Sequence, residues 1–164
     1  MGKGYALMRG IKKSSNQWIL TCDFDMSVNP TTLLEWFKKD YINEINSGYI
    51  GSRNLSDSNV NTIWIRKLYG LFFTLIISVL FKIKFKDTQC GFKLYHSCYI
   101  KKIISTLKSF RFVHDVEIIV RLAEKNIKIK ELPLKWDHKK GSKINLFKDP
   151  IIMILDLILI KFKK

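Results

Sequence analysis

Gln17-Trp18-Ile19-Leu20-Thr21-Cys22 is a short apolar run, and it breaks off at Asp23-Phe24-Asp25. A run of that length and character reads as a buried strand. If its geometry persists beyond Cys22, the period of two turns both carboxylates to one side and Phe24 to the other. The end of a strand in an open α/β sheet is where ligands collect, and two carboxylates there suit Mg2+ or Mn2+ holding a diphosphate. Asp is also a common turn and cap residue, so the pair by itself leaves a purely structural reading open.

Outward from this strand, residues 4–13 read as a helix with Leu7, Met8 and Ile11 on one side. Pro30 suits a first helical turn, after which Leu33, Leu34, Phe37 and Tyr41 recur at helical spacing until Asn46-Ser47-Gly48 stops them. Residues 49–53 are a second strand, and the polar stretch 54–61 is loop, the segment expected to move most. The second half adds loop at 86–89, strand at 91–95, helices at 97–107 and 115–125, and one alternating strand at 127–136. The apolar members of that strand are Ile127, Ile129, Leu132, Leu134 and Trp136.

Two further segments are apolar and flanked by cations. Within 64–81, Leu68 to Phe81 carries no charge, with Arg66 and Lys67 before it and Lys82, Lys84 and Lys86 after it. These 14 residues fall short of the roughly 20 a spanning helix needs. Gly70, Thr74 and Ser78, four apart, form a slim stripe opposite a broad Leu/Phe/Ile face, so the helix either lies in a membrane interface or is buried in a core. Asp149-Pro150 starts a second such segment, with 151–160 apolar except for Asp156 and Lys161 closing it. Residues 64–81 and 150–161 are the candidate membrane-interface helices.

The 164 residues are one domain's length, and 47% hydrophobic with 13% aromatic residues excludes a wholly disordered chain. Cys22, Cys90 and Cys98 form no CxxC pair, which argues against structural zinc and a disulfide framework. Residues 1–9 lack the apolar stretch of a secretory signal, and Ala6 stands where myristoylation wants Ser or Thr. The formal charge of +15 fits an anionic membrane, a nucleic acid, or a codon bias toward Lys, Ile and Asn. Cations set beside apolar runs favour the membrane over specific nucleic-acid binding.

Asp87-Thr88-Gln89-Cys90-Gly91-Phe92-Lys93 adds a far more specific signal. Together with Gly2-Lys3-Gly4, Asp23-Phe24-Asp25, Gly51-Ser52-Arg53, Asp115-Val116-Glu117 and Gly141-Ser142-Lys143, in this order and spacing, it resembles the dolichyl-phosphate β-glucosyltransferases. Their bacterial polyprenyl-phosphate relatives, also family 2 glycosyltransferases, share the likeness, which runs from Gly2 to about Lys143.

The resemblance implies an α/β GT-A (Rossmann-like) domain that passes glucose from UDP-glucose to a dolichyl or polyprenyl phosphate with inversion. It implies Mg2+ or Mn2+ at Asp23 and Asp25, which would hold the UDP diphosphate, with Lys3 near the nucleotide. Arg53 and Arg66 would receive the acceptor phosphate, Asp87 and Gln89 would shape the sugar pocket, Asp115 would lie near the reacting centre, and Ser142 and Lys143 would close over the donor. It further implies membrane association at a cytoplasmic face, of the endoplasmic reticulum or of a bacterial inner membrane. Members of the family begin with an additional βα region forming much of the uridine site. Its absence here makes the domain incomplete at the N-terminus and leaves room for a second polypeptide, or for a non-catalytic membrane-surface remnant.

Plainer readings stand beside these. Arg53 and Arg66 are ordinary snorkelling or surface arginines on one view. Asp115 suits an N-cap with Glu117 in its first turn, and Cys90 reads as a small packed residue rather than a nucleophile.

Overall fold

A computed structural model describes residues 2–43, 46–61, 64–109, 113–139 and 148–162 of the chain. Helix α1 (Lys3–Lys13) leads to strand β1 (Trp18–Thr21), α2 (Thr32–Lys38), β2 (Gly48–Ser52), β3 (Asn59–Asn61) and α3 (Trp64–Phe81). The second half runs β4 (Lys93–His96), α4 (Ser97–Ile104), α5 (His114–Glu124), β5 (Ile129–Pro133), β6 (Lys135–Asp137) and α6 (Lys148–Phe162). Four strands form a mixed sheet in the order β1-β4-β2-β5, and β3 pairs with β6 beside it.

The register decides where the site falls. Strand β4 runs antiparallel between β1 and β2, pairing Lys93 with both Thr21 and Ile50, while β5 lies parallel to β2 with Ser52 opposite Pro133. The carboxyl ends of β1, β2 and β5 and the entrance to β4 therefore share one edge of the sheet. Asp23, Arg53 and the loop 86–92 all emerge there.

Alternation along the strands sorts side chains between two faces. Ile19, Lys93 and Tyr95 turn to the face covered by α1, α4 and α5, whose Met8, Ile11, Ile100, Ile103, Ile118 and Leu122 make one buried cluster with Ile19 and Tyr95. Phe92, Leu94, Tyr49 and Leu132 turn the other way and pack on Trp36 of α2. Ile50 joins a third cluster in which α5 meets Phe73 and Ile77 of α3 and Leu157 and Ile160 of α6.

Three expectations are corrected. Helix α2 stops at Lys38, where the chain turns with Asp40 at φ 51°, and its buried residues are Thr32 and Trp36 rather than Leu34 and Phe37, which are exposed. Trp36 is drawn in because its indole N–H donates to the Pro133 carbonyl at 2.8 Å. Residues 59–61 are a strand, since the Asn59 N–H reaches the Leu134 carbonyl at 3.0 Å and Val60 pairs with Trp136. The alternating stretch 127–136 is two strands, broken at Leu134, because β5 belongs to the main sheet and β6 to the small one.

The apolar segment 64–81 is one helix, α3, which takes Arg66 and Lys67 into its first turn and ends just before Lys82. Phe73 and Ile77 are buried with Gly70, Thr74 and Ser78 half-buried beside them, while Leu68, Leu71, Phe72, Leu75 and Val79 face outward. Helix α6 likewise exposes Ile151, Leu155 and Phe162. Among the described residues no helix is long and apolar enough to cross a membrane.

Candidate active site

Asp23 follows β1 by two residues and faces Gly91 across the sheet edge. A Cβ on Gly91 would lie 2.4 Å from the Asp23 carboxylate, so only glycine leaves room for that side chain. The carboxylate accepts the Lys3 ammonium at 2.5 Å. Lys3 reaches it because α1 comes so close to α5 that a Cβ on Gly4 would meet His114 at 2.8 Å.

Strand geometry does not persist through Asp25, contrary to expectation. The Met26 N–H donates back to the Asp23 carbonyl at 3.2 Å and Met26 sits at φ 53°, so 23–26 is a tight turn with Phe24 98% exposed. Asp25 is exposed, and its Oδ1 accepts the Ser27 N–H at 3.0 Å, an Asx turn. Both carboxylates still line the same cleft, now by way of a turn rather than a strand.

Asp115 lies in the first turn of α5 without capping it; the N-cap position is Val113, with no side-chain cap. Its carboxylate is buried and accepts the ammonium of Lys93 at 2.5 Å, with His114 Nε2 at 3.5 Å and Lys3 Nζ at 4.0 Å. Burial alone would raise the Asp115 pKa, but Lys93, His114 and Lys3 hold it below the ordinary carboxyl value. Burial would likewise lower that of Lys3, and Asp115 and Asp23 outweigh it. Lys93 itself is fully buried, and sequence reasoning passes over it because a strand lysine reads as solvent-facing. The signal available was alternation, since Lys93 shares a face with Tyr95 in the middle of an apolar sheet.

Arg53 leaves β2 beside Asp87, which is 2% exposed. Its Nε and Nη2 donate to the two Asp87 oxygens at 2.7 and 2.9 Å, and its backbone N–H donates at 3.0 Å. Asp87 also accepts the N–H groups of Gln89 and Cys90 at 3.1 and 3.2 Å, while Glu131 takes those of Lys86 and Asp87. Burial opposes ionisation of Asp87, and the Arg53 ion pair and hydrogen bonds reverse that and lower its pKa. The guanidinium, raised in turn by Asp87 against its own burial, also lies over the Trp136 ring, 5.8 Å from its centroid. Asp87 thus contacts Arg53 and its own loop, and Asp87 and Gln89 both line the cleft. Cys90 is packed, and burial pushes its thiol up to about 12, so it is no nucleophile.

One cleft of about 1460 Å³ joins these groups. Lys3, Asp23, Asp25 and Asp115 stand along it with Arg53 and Gln89, and it continues to Trp64 and Lys67 of α3 and to Met153 of α6. Arg66 lies in the first turn of α3, with its side chain outside the described residues, as are Ser142 and Lys143 altogether. Among the described residues no three His, Cys, Asp or Glu side chains come together as a metal site.

No protein-family model matches the chain. Its fold is that of the GT-A glycosyltransferases: glucosyl-3-phosphoglycerate synthase from Mycobacterium tuberculosis, in complex with uridine-diphosphate, gives a TM-score of 0.67 at 10% identity. That match covers 97% of this chain and 54% of that one. The same synthase with Mn2+ and uridine-diphosphate-glucose gives 0.63 at 13% identity, covering 96% and 53%.

By sequence, the chain is similar to the dolichyl-phosphate beta-glucosyltransferases. It is 32% identical to one from Trichomonas vaginalis over 96% of this chain and 50% of that one, and 32% identical to that of Dictyostelium discoideum over 99% and 51%. The Saccharomyces cerevisiae enzyme is 42% identical over 57% of this chain and 28% of its own. The chain spans about half the length of the curated relatives it matches.

Proposed function

We propose that the chain carries the metal and acceptor side of a glycosyltransferase that passes glucose from UDP-glucose to a dolichyl or polyprenyl phosphate with inversion. The carrying observation is the single cleft in which Asp23, Asp25 and Lys3 stand with Arg53, and which runs on to the exposed Leu71 and Phe72 of α3 and the half-buried Met153 and Ile154 of α6. The relatives' other half of the length would come from more of the same chain or from a second polypeptide.

The donor set fits a small hard cation. It is oxygen-only, Gly91 fixes one carboxylate, and the other is exposed and accepts the Ser27 N–H. Mg2+ and Mn2+ are commonly held by one or two carboxylates plus phosphate oxygens and water. Asp23 and Asp25 would hold the ion, which would take up negative charge on the departing UDP.

An acceptor phosphate is already an anion at neutral pH, so attack on the sugar needs no strong base; it needs charge neutralised and an aligned approach. Arg53 suits that task. With Nε and one Nη2 hydrogen committed to Asp87, three of its five N–H groups are left for a phosphate, and the Asp87 fork holds the guanidinium in one orientation. Asp115, ionised by Lys93, would lie beside the reacting centre as a fixed charge rather than a base. Gln89 on the same wall would meet the sugar.

Titration of the chain with UDP by calorimetry tests the reading. Saturable heat that requires Mn2+ or Mg2+ is expected, and its absence with either ion favours a non-catalytic surface remnant instead.

The exposed faces of α3 and α6, rimmed by Lys67, Lys82, Lys84 and Lys161, would lie in an anionic leaflet and hold the acceptor's tail beside its head. Flotation with vesicles of about 30% phosphatidylserine is expected, and Leu75→Glu with Val79→Glu should cut it about tenfold. These residues are 60% and 71% exposed, so the fold should be spared. Undiminished flotation of the double variant would remove this part of the reading.

A further inference from the structure

Lys3 is paired with one of the two carboxylates read above as cation ligands. Its ammonium pairs with Asp23 at 2.5 Å and lies 4.0 Å from Asp115, although Asp115 already has Lys93 as a fully buried partner. Lys3 is the first residue of an 11-residue helix with no side-chain cap and no acidic residue in its first turn. A cation at the positive end of a helix dipole is unfavourable unless anions face it, so Asp23 and Asp115 answer that charge. Asp25, by contrast, is engaged by the Ser27 N–H.

A bare divalent ion entering this site has to compete with Lys3 for Asp23, and gains at most two carboxylates. Among the described residues no three His, Cys, Asp or Glu side chains gather as a ligand set. A cation arriving with a diphosphate meets different terms. The diphosphate oxygens complete its shell, and the same diphosphate offers Lys3 and the helix N-terminus a new anion in exchange for Asp23.

Resting on the metal reading above, we infer that Lys3 is a tethered counter-ion: it keeps Asp23 closed to a bare divalent cation and transfers to the diphosphate, so the site takes cation and diphosphate as a unit. Lys3 is in this sense a positioning residue that couples two ligands.

Mn2+ binding to the chain, alone and with saturating inorganic pyrophosphate, separates this from its rivals, read by Mn2+ electron paramagnetic resonance or calorimetry. In the wild type, pyrophosphate should tighten Mn2+ binding well beyond the Mn2+ pyrophosphate affinity in buffer. In Lys3→Met, affinity for Mn2+ alone should rise about fivefold, as for loss of a half-exposed competing ion pair, while the enhancement by pyrophosphate shrinks about tenfold. Lys3→Arg, which keeps the charge, should retain the wild-type pattern. A Lys3→Met chain that binds Mn2+ alone no better than wild type, or that loses both affinities together as a damaged site would, overturns the inference while leaving the metal reading in place. A wild-type chain that takes up no Mn2+ even with pyrophosphate overturns both.

Discussion

Asp87→Ala is expected to cost the fold about 3–5 kcal/mol, the range for removing one partner of a buried ion pair. The Asp87 carboxylate accepts from Arg53 through Nε, Nη2 and the backbone N–H, and from the N–H groups of Gln89 and Cys90. Deletion strands a largely buried guanidinium and opens the loop that brings Gly91 under Asp23. Asp87→Asn keeps the shape but loses the charge, and should recover only part of the loss. Denaturant titration of both variants checks this; a cost below about 1 kcal/mol for Asp87→Ala would mean that Arg53 finds another partner.

The same pair sets an acid limit. The folded pKa of Asp87 lies below the ordinary carboxyl value of about 3.9, so its stabilisation is complete above that pH and is lost as pH falls through the folded value. Wild-type stability should therefore hold at mildly acidic pH and decline only below about pH 4.

What the sequence discloses follows from which signals are local. Helix α3 ends where its flanking charges suggest, just before Lys82, because an uncharged apolar run closed by cations is a one-dimensional pattern. The inward face of α2 is not local: Trp36 is buried through a bond to Pro133, ninety-seven residues away, and Leu34 and Phe37 are left outside. Strand β3 is Val60 between two asparagines and pairs only because β6 arrives from 76 residues downstream, so no periodicity announces it. The break at Leu134 is a change of sheet, invisible in an alternation that continues through it.

The site divides in the same way. Asp23 and Asp87 are legible because one ends a strand and the other opens a distinctive heptad. The turn that carries Asp25 is hidden, since it depends on Met26 at positive φ, where no glycine marks the place. The partnership of Arg53 with Asp87 and of Lys93 with Asp115 depends on strand register, which composition and spacing do not specify.

Lys93→Met should be nearly as damaging, again about 3–5 kcal/mol, because it leaves the Asp115 carboxylate buried with, among the described residues, Lys3 at 4.0 Å and His114 at 3.5 Å as its remaining ion-pair partners. Lost packing would produce a similar number, so pH supplies the discriminating readout. In the wild type, burial disfavours ionised Asp115 but Lys93, His114 and Lys3 lower its pKa, so its contribution is fully present above about 3.9 and fades as pH falls through the folded value. Without Lys93, burial should prevail and lift the folded pKa above the unfolded one, which reverses the sign: the variant should gain stability as pH falls from about 7 to 5, where the wild type does not. His114, Lys3, Asp23 and Tyr95 also face this charge, and Lys93→Met/Asp115→Asn isolates it, since both buried charges are then gone. That double variant should be more stable than Lys93→Met and lose the reversed slope. A Lys93→Met profile parallel to wild type would show that Lys93 fills space on the central strand without holding Asp115 ionised.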